Sequence, residues 1–253
     1  MAKRNKMKNI LYLFLLSTQF FFAQNGFEKG NTLYEKGSYA DAAVAYESVL
    51  NSNQHSAELY FNLANTYYKL NKVAPAIYYY EKALVLNPKD QESQNNLKFA
   101  NKRTIDEIKV IPKVGFAKLV RDFTGIYHYN TWAWATIGLA TLFLLFFIGY
   151  YFLQITVWKR LFFIGMFLAI LLMLITVSSA IFEKKYFDTE KPAIIFAEMA
   201  NVKSEPRDGG KPLFLLHEGT KVYVEEVIGK WKKIQLTDGS EGWIESNAIK
   251  EVK

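Results

Sequence analysis

"GNTLYEKGSYADAAVAYESVL", residues 30–50, returns 34 residues later as "ANTYYKLNKVAPAIYYYEKAL", residues 64–84. Small and apolar residues recur in each copy at helical spacing, and one turn interrupts them. The pattern predicts a pair of antiparallel helices in each copy. Eight of the 21 aligned positions are identical: Asn31/Asn65, Thr32/Thr66, Tyr34/Tyr68, Ala40/Ala74, Ala42/Ala76, Tyr46/Tyr80, Glu47/Glu81 and Leu50/Leu84.

Boundary signals support the same assignment. Ser38, followed by Asp41, is a predicted N-cap of the second helix. Pro88 in "LNPKD" is expected to end one helix, and Asp90 is expected to cap the next. The polar stretch "QESQNNLKFANKR", residues 91–103, then reads as a solvating cap helix. A 34-residue period of this kind is typical of the tetratricopeptide repeat, so residues 24–103 are predicted to form an all-α solenoid of two repeats plus a cap.

Such a solenoid generally binds a peptide or a partner helix on one face. Aromatic residues replace the early Lys or Arg of carboxylate-binding repeats here, so we expect an apolar or extended peptide. In the alternative interpretation, these side chains serve packing alone. The predicted groove residues are Phe27, Asn31, Tyr34, Phe61, Asn65, Tyr68, Lys102 and Arg103.

The remaining composition limits the classes of function. The formal net charge is +7, but Lys3, Arg4, Lys6 and Lys8 supply four of the positive charges, so nucleic-acid binding is not expected. The chain contains no cysteine, which excludes disulfides and thiolate metal sites. Its three histidines lie on different segments, and no HExxH, GxSxG, phosphate-loop or GxGxxG motif occurs. We therefore expect no enzyme activity, metal site or cofactor.

The N-terminus and two later stretches indicate a membrane. Residues 1–23 have a basic start, a short apolar run and a small residue at position 23, as in a secretory signal peptide; an uncleaved anchor is the alternative. Trp132–Leu153 and Leu161–Phe182 contain no charged residue and are long enough to span a bilayer. We predict a two-span hairpin, residues 132–182, with both larger segments on the outer side of the membrane.

The connection before the first span is predicted to be an amphipathic linker, residues 104–131. Phe116, Leu119, Val120 and Phe123 fall on one helical stripe, which is typical of an interfacial helix lying on the membrane.

Residues 192–253 show a β pattern. Short alternating runs are separated by turn residues, and "DG" at 238–239 marks a tight hairpin, which predicts a small all-β barrel of about five strands. "ANVKSEP", "HEGTKVYVEE" and "EGWIE" resemble the bacterial SH3-like domain. That resemblance implies binding of short peptides or cell-wall peptides. Trp231 and Trp243 are the candidate contacts, although core or rim packing is the alternative.

The order of these parts resembles the BatE-type family of the Bacteroides aerotolerance operon. The similarity is most specific in "ELYFNLANTYYKLNKVAPAIYYYEKALVLNP" and "LFLLHEGTKVYVEE". It implies an inner-membrane assembly factor that works with membrane-anchored von Willebrand A-type proteins in oxygen tolerance or envelope stress. Two hypotheses follow: a periplasmic scaffold for protein partners, or a wall-sensing adaptor that binds peptidoglycan peptides through the SH3-like domain.

Overall fold

The computed structural model describes residues 26–109 and 115–253 of the chain. The described residues divide into two compact units. The first, called here the repeat–sheet unit, contains residues 26–86, 90–109 and 192–253; most of the second, the hairpin unit, is residues 115–191. The predicted signal peptide, residues 1–23, lies outside the described residues.

Five helices form the repeat region: α1 (residues 26–35), α2 (Tyr39–Asn51), α3 (Ala57–Lys69), α4 (Val73–Leu86) and α5 (Gln91–Asn101). Each predicted repeat is therefore a pair of helices, and α5 follows as the predicted cap helix. Asp90 caps α5 by accepting a hydrogen bond from the Ser93 backbone N–H at 3.1 Å, as predicted. Ser38 is the N-cap residue of α2, as predicted, but its hydroxyl donates to the Asp41 carboxylate at 2.7 Å and makes no capping hydrogen bond to the helix.

Two hydrophobic clusters hold the repeats together. The first lies between α2 and α3 and contains the buried residues Ala42, Ala43, Tyr46, Val49, Leu59 and Leu63. The second is centred on α4 and contains Ala64, Ala74, Ala76, Ile77, Tyr80 and Ala100, together with Ile194 and Val252 from the C-terminal part of the chain. Alanines at these positions let neighbouring helices approach closely, and the tyrosine rings fill the space that remains.

Residues 192–253, the β-module, form one antiparallel sheet of seven strands, not the expected five or so. The strand order is β3-β2-β6-β5-β4-β1-β7. Its core contains Val202, Leu216, Val222, Ile234 and Ile244, each at most 2% exposed. The strands are β1 (Pro192–Ile195), β2 (Met199–Lys203), β3 (Pro212–His217), β4 (Lys221–Ile228), β5 (Trp231–Gln235), β6 (Glu241–Glu245) and β7 (Ile249–Glu251).

The hairpin unit contains α6 (Phe116–Thr124), α7 (Tyr129–Phe152) and α8 (Thr156–Thr189). By length and apolar composition, α7 and α8 could each cross a membrane. The connector is shorter than the sequence suggested: three residues, 153–155, separate the helices, and Lys159 and Arg160 already belong to α8. Helix α8 also continues beyond Phe182 for seven residues. In this extension Glu183 accepts a hydrogen bond from Arg121, and Lys184 donates one to Asp188, one helical turn further on.

Small and polar residues mark the contact between α7 and α8. Gly149 faces the ring of Phe162 and Gly165 faces the ring of Phe146, so a Cβ atom at Gly165 would come within 2.7 Å of that ring. The hydroxyl of Thr136 donates to that of Thr176 at 2.9 Å. Close backbone approach and interhelical hydrogen bonds of this kind are the usual source of helix association in a bilayer.

Helix α6 packs on α8. Its predicted apolar stripe, Phe116, Leu119, Val120 and Phe123, lines a groove of about 560 Å³ together with apolar residues of α8. Arg121 on the same helix forms an ion pair with Glu183, whose side chain is 10% exposed. Helix α6 is therefore amphipathic as predicted, and within this unit its apolar stripe adjoins α8.

Removing the side-chain cap of α3 should weaken the repeat region. The Ser56 hydroxyl accepts a hydrogen bond from the Leu59 N–H at 3.0 Å, so Ser56→Ala should lower the free energy of unfolding by about 1 kcal/mol. Denaturant unfolding of the full chain in detergent, followed by far-UV circular dichroism, measures this. Ser38→Ala is the matched control, and an equal loss in both variants would contradict the assignment.

Candidate functional site

Hydrogen bonds connect the first helices of successive repeats. The Oδ1 atom of Asn31 on α1 accepts from the Tyr46 hydroxyl at 2.6 Å and from the Asn62 carboxamide on α3 at 3.0 Å. Helices α1 and α3 therefore lie side by side, with Asn31 held from behind by α2.

The same arrangement returns one repeat later. The Oδ1 atom of Asn65 on α3 accepts from the Tyr80 hydroxyl at 2.5 Å and from the Asn96 carboxamide on α5 at 2.9 Å. Burial is the main cause that raises the pKa of Tyr80, and the same cause raises the pKa of Tyr46 to about 12. Both hydroxyls therefore keep their protons at neutral pH and remain donors. The two predicted asparagines are thus held in one orientation by equivalent networks.

Phe27 and Phe61 lie next to the tyrosine rings of these networks. The Phe27 ring lies 5.8 Å from that of Tyr46, and the Phe61 ring lies 6.2 Å from that of Tyr80. Each phenylalanine is half-buried, so it contributes packing and also retains exposed surface. Both interpretations offered by the sequence, packing and ligand contact, are compatible with this position.

The remaining predicted groove residues lie near the ends of the helices. Tyr34 is in edge contact with Tyr39, with 5.2 Å between ring centroids. The Arg103 guanidinium stacks 4.0 Å from the Tyr68 ring and donates to the Asn71 side chain at 3.1 Å. Helix α5 ends at Asn101, so Lys102 and Arg103 do not extend the cap helix as expected; they lie in the turn that follows it. Through these contacts Arg103 connects that turn to the C-terminal end of α3.

Sequence reasoning missed Asn62, Asn96 and Phe99. The first two are 34 residues apart and complete the two networks, so the repeat period itself could have identified them. Phe99 lies 34 residues after Asn65, in the third position of the series Asn31, Asn65, and its side chain is 55% exposed. We call the face of α1, α3 and α5 that carries Asn31, Asn65 and Phe99 the groove face.

A second candidate site lies in the β-module. Trp231 is 4% exposed and forms part of the wall of a cleft of about 390 Å³. The ammonium groups of Lys203 and Lys230 lie 4.9 and 5.6 Å from its ring. Polar side chains that share this cleft are Asn201, Lys203, Glu245 and Asn247.

The two predicted tryptophans differ in position. Trp243 is half-buried on β6, where it is opposite Lys203 of β2 and Lys233 of β5. Of the two, both within the described part of the chain, Trp231 is the one at the cleft. In residues 26–109 and 115–253, no group of three or more His, Asp or Glu side chains is arranged to hold a metal ion.

Comparison with known proteins agrees with the repeat geometry. A family model described as "Tetratricopeptide repeat" matches residues 57–90, and one described as "TPR repeat" matches residues 30–71. The first match begins with α3 and ends at Asp90, the cap of α5. No curated protein matches the chain. Residues 30–90 therefore carry tetratricopeptide repeats, a class of non-catalytic protein-interaction domain.

The Tyr80–Asn65 network should contribute measurably to stability. Tyr80→Phe removes a buried donor and leaves Asn65 with one of its two partners, so the free energy of unfolding should fall by about 1 kcal/mol. Denaturant unfolding of the full chain measures the change. The control is Tyr39→Phe, because the Tyr39 hydroxyl has no hydrogen-bond partner among the described residues. Unchanged stability in Tyr80→Phe would show that the network is not formed in solution.

Proposed function

We propose that this protein is a membrane-anchored scaffold that holds a protein partner on the groove face of its repeats. The observation that carries the proposal is the pair of equivalent asparagine networks followed, in the same register, by the exposed ring of Phe99. Fixed polar groups beside an exposed aromatic ring suit an extended or apolar peptide segment. An enzyme function has no support from this arrangement.

The two-unit organisation supports a hairpin topology. Residues 26–86, 90–109 and 192–253 belong to one unit, although the two apolar helices separate them in the chain. Both segments must then lie on the same side of a bilayer, as two membrane crossings require. With the signal peptide predicted at residues 1–23, that side is the periplasm and the membrane is the bacterial inner membrane.

The identity of the partner is proposed from the family resemblance. In the BatE-type family the neighbouring products are membrane-anchored von Willebrand A-type proteins, so a partner of that class is the expected occupant. The scaffold would then act as an assembly factor of an aerotolerance or envelope-stress complex. Phe27 and Phe61 at the early groove positions favour an apolar segment of that partner over a free C-terminal carboxylate.

The Trp231 cleft supports a second candidate function, a cell-wall-sensing adaptor. An indole wall next to lysine, glutamate and asparagine side chains could bind a short peptide that carries both charges, such as a peptidoglycan stem peptide. In this alternative the β-module binds the wall and the repeats connect that attachment to other proteins.

Photo-crosslinking at the groove face tests the scaffold proposal. A photoreactive amino acid at position 99 of the full chain in native membranes should capture a von Willebrand A-type protein, identified by mass spectrometry. The control position is Val44, which is 67% exposed on α2. Equal capture at both positions, or capture at position 99 of proteins of other classes alone, would contradict the proposal.

A substitution at the same position gives a quantitative prediction. Phe99→Ala, in a chain without the photoreactive residue, should reduce the amount of partner that co-purifies at least about tenfold, because exposed aromatic anchors in interfaces often contribute 1–2 kcal/mol or more. Its exposure means that helicity should be unchanged, as circular dichroism would show. Val44→Ala is the matched control, and a similar loss in that variant would argue against a specific groove contact.

Co-sedimentation of the full chain with purified sacculi tests the adaptor alternative. The adaptor predicts pelleting that Asn201→Ala combined with Asn247→Ala weakens, since both side chains line the cleft. Pelleting at background level would remove the alternative and leave the scaffold proposal intact.

A further inference from the structure

Strand β1 contributes to two hydrophobic cores. All four of its residues, Pro192–Ile195, are buried. Ala193 and Ile195 belong to the core of the β-module, whereas Ile194 belongs to the core of the second repeat. Because side chains alternate across a strand, one face of β1 completes the sheet and the other completes the solenoid.

Further apolar contacts extend the junction. Val252, 1% exposed and just beyond β7, joins Ile194 in the core of the second repeat. The ring of Phe196 meets that of Tyr78 on α4 edge-on, with 5.5 Å between centroids. These side chains lie against α4, the second helix of its repeat, and the groove-face residues lie on the first helices.

An ion pair also connects the β-module to α4. The Lys221 ammonium on β4 donates to both carboxylate oxygens of Glu81 on α4, at 2.8 and 2.7 Å. The Glu81 side chain is 12% exposed, so this pair is shielded from solvent much more than a surface pair. Breaking one partner would leave a largely buried charge without compensation.

Asp106 forms a third connection, from the segment that follows α5. Its carboxylate accepts from the backbone N–H and Nδ1 of His217, both at 2.7 Å, and from the Thr220 hydroxyl at 2.6 Å. Burial by itself would raise the pKa of this carboxyl, but the hydrogen bonds from Thr220 and His217 outweigh it and lower the pKa. Ile108, two residues on, packs against the core of the β-module.

Gly219 allows the closest approach between the two parts. It has φ +87°, and a Cβ atom there would lie 2.9 Å from Thr104 and 3.2 Å from Ile77. The turn between β3 and β4 can therefore press onto α4 only with glycine at this position.

In a repeat array, each repeat is covered by the next, and the last repeat needs a cap. Here α5 has no following helix within the repeat–sheet unit, and the β-module contacts α4 in its place. We propose that the β-module, together with the cap helix α5, forms the terminal cap of the repeats, and that the second repeat reaches its stable form only when residues 192–253 fold against α4. The effect of this cap on partner binding at the groove face rests on the function proposed above.

The chain order gives the cap a consequence for assembly. Only Glu190 and Lys191 separate the end of α8 from β1. The cap can therefore form only after both apolar helices have been made and β1 has returned to the side of the repeats. Partner binding on the groove face would then be delayed until the membrane hairpin is in place.

Hydrogen exchange of the full chain in nanodiscs tests the cap. Ile194→Asp places a charge in the core of the second repeat and should speed amide exchange in α4 at least about tenfold, because local opening sets protection. Ile228→Asp is the control in the same module, since Ile228 is 45% exposed on β4. Unchanged exchange in α4 while β1 loses protection would overturn the proposal.

A charge exchange covers the case in which Ile194→Asp unfolds the whole chain. Lys221→Glu alone should accelerate exchange in α4 through repulsion with Glu81, and adding Glu81→Lys should restore protection. No effect of the single change, or no rescue by the double change, would contradict the cap. Neither exchange measurement uses a ligand. If α4 exchange changes as predicted but position 99 of the unaltered chain captures no partner, the groove proposal is refuted and the cap proposal stands.

Discussion

The double burial of strand β1 is the constraint on which the repeat–sheet unit depends. Its four residues are all buried. One face of the strand packs in the core of the seven-stranded sheet, and the other face packs in the core of a helical repeat. Burying the Ile194 side chain contributes on the order of 2 kcal/mol. The Lys221–Glu81 and Asp106–His217 contacts also connect the β-module to the residues that precede the apolar helices. Two sequence segments on either side of the apolar helices thereby become one folded body.

This organisation separates the structural contacts of the repeats from the proposed binding surface. The β-module contacts α4, and the asparagine networks hold α1, α3 and α5 side by side on the first-helix layer. Asn31 and Asn65 have their oxygens engaged, so a bound peptide would meet their amide groups and the neighbouring rings, above all Phe99. The proposed scaffold is therefore a preorganised surface, which lowers the entropic cost of binding a flexible segment.

Sequence periodicity predicted the helical pairs, the Asp90 cap, the apolar helices and the β character of residues 192–253, because each depends on local residue pattern. Ser38 occupies the predicted N-cap position, but its hydroxyl donates to the nearby Asp41 carboxylate and makes no capping hydrogen bond. The contact of Asp106 with His217 spans 111 positions, and Ile194 packs with repeat residues from Ala64 to Ala100. Contacts this far apart in the chain could not be predicted, because the local pattern gives no pairing signal. Phe99 was missed because its polar surroundings indicated a solvated helix.

The most direct test of this account uses the absence of cysteine from the chain. Glu81→Cys with Lys221→Cys, in the full-length protein in spheroplasts, gives a unique pair for a short bismaleimide reagent that does not cross membranes. One folded unit on the outer side predicts an efficient crosslink within a single chain, visible as a faster-migrating monomer band. No crosslink, a crosslink only between two chains, or reaction only with a membrane-permeant reagent would contradict it.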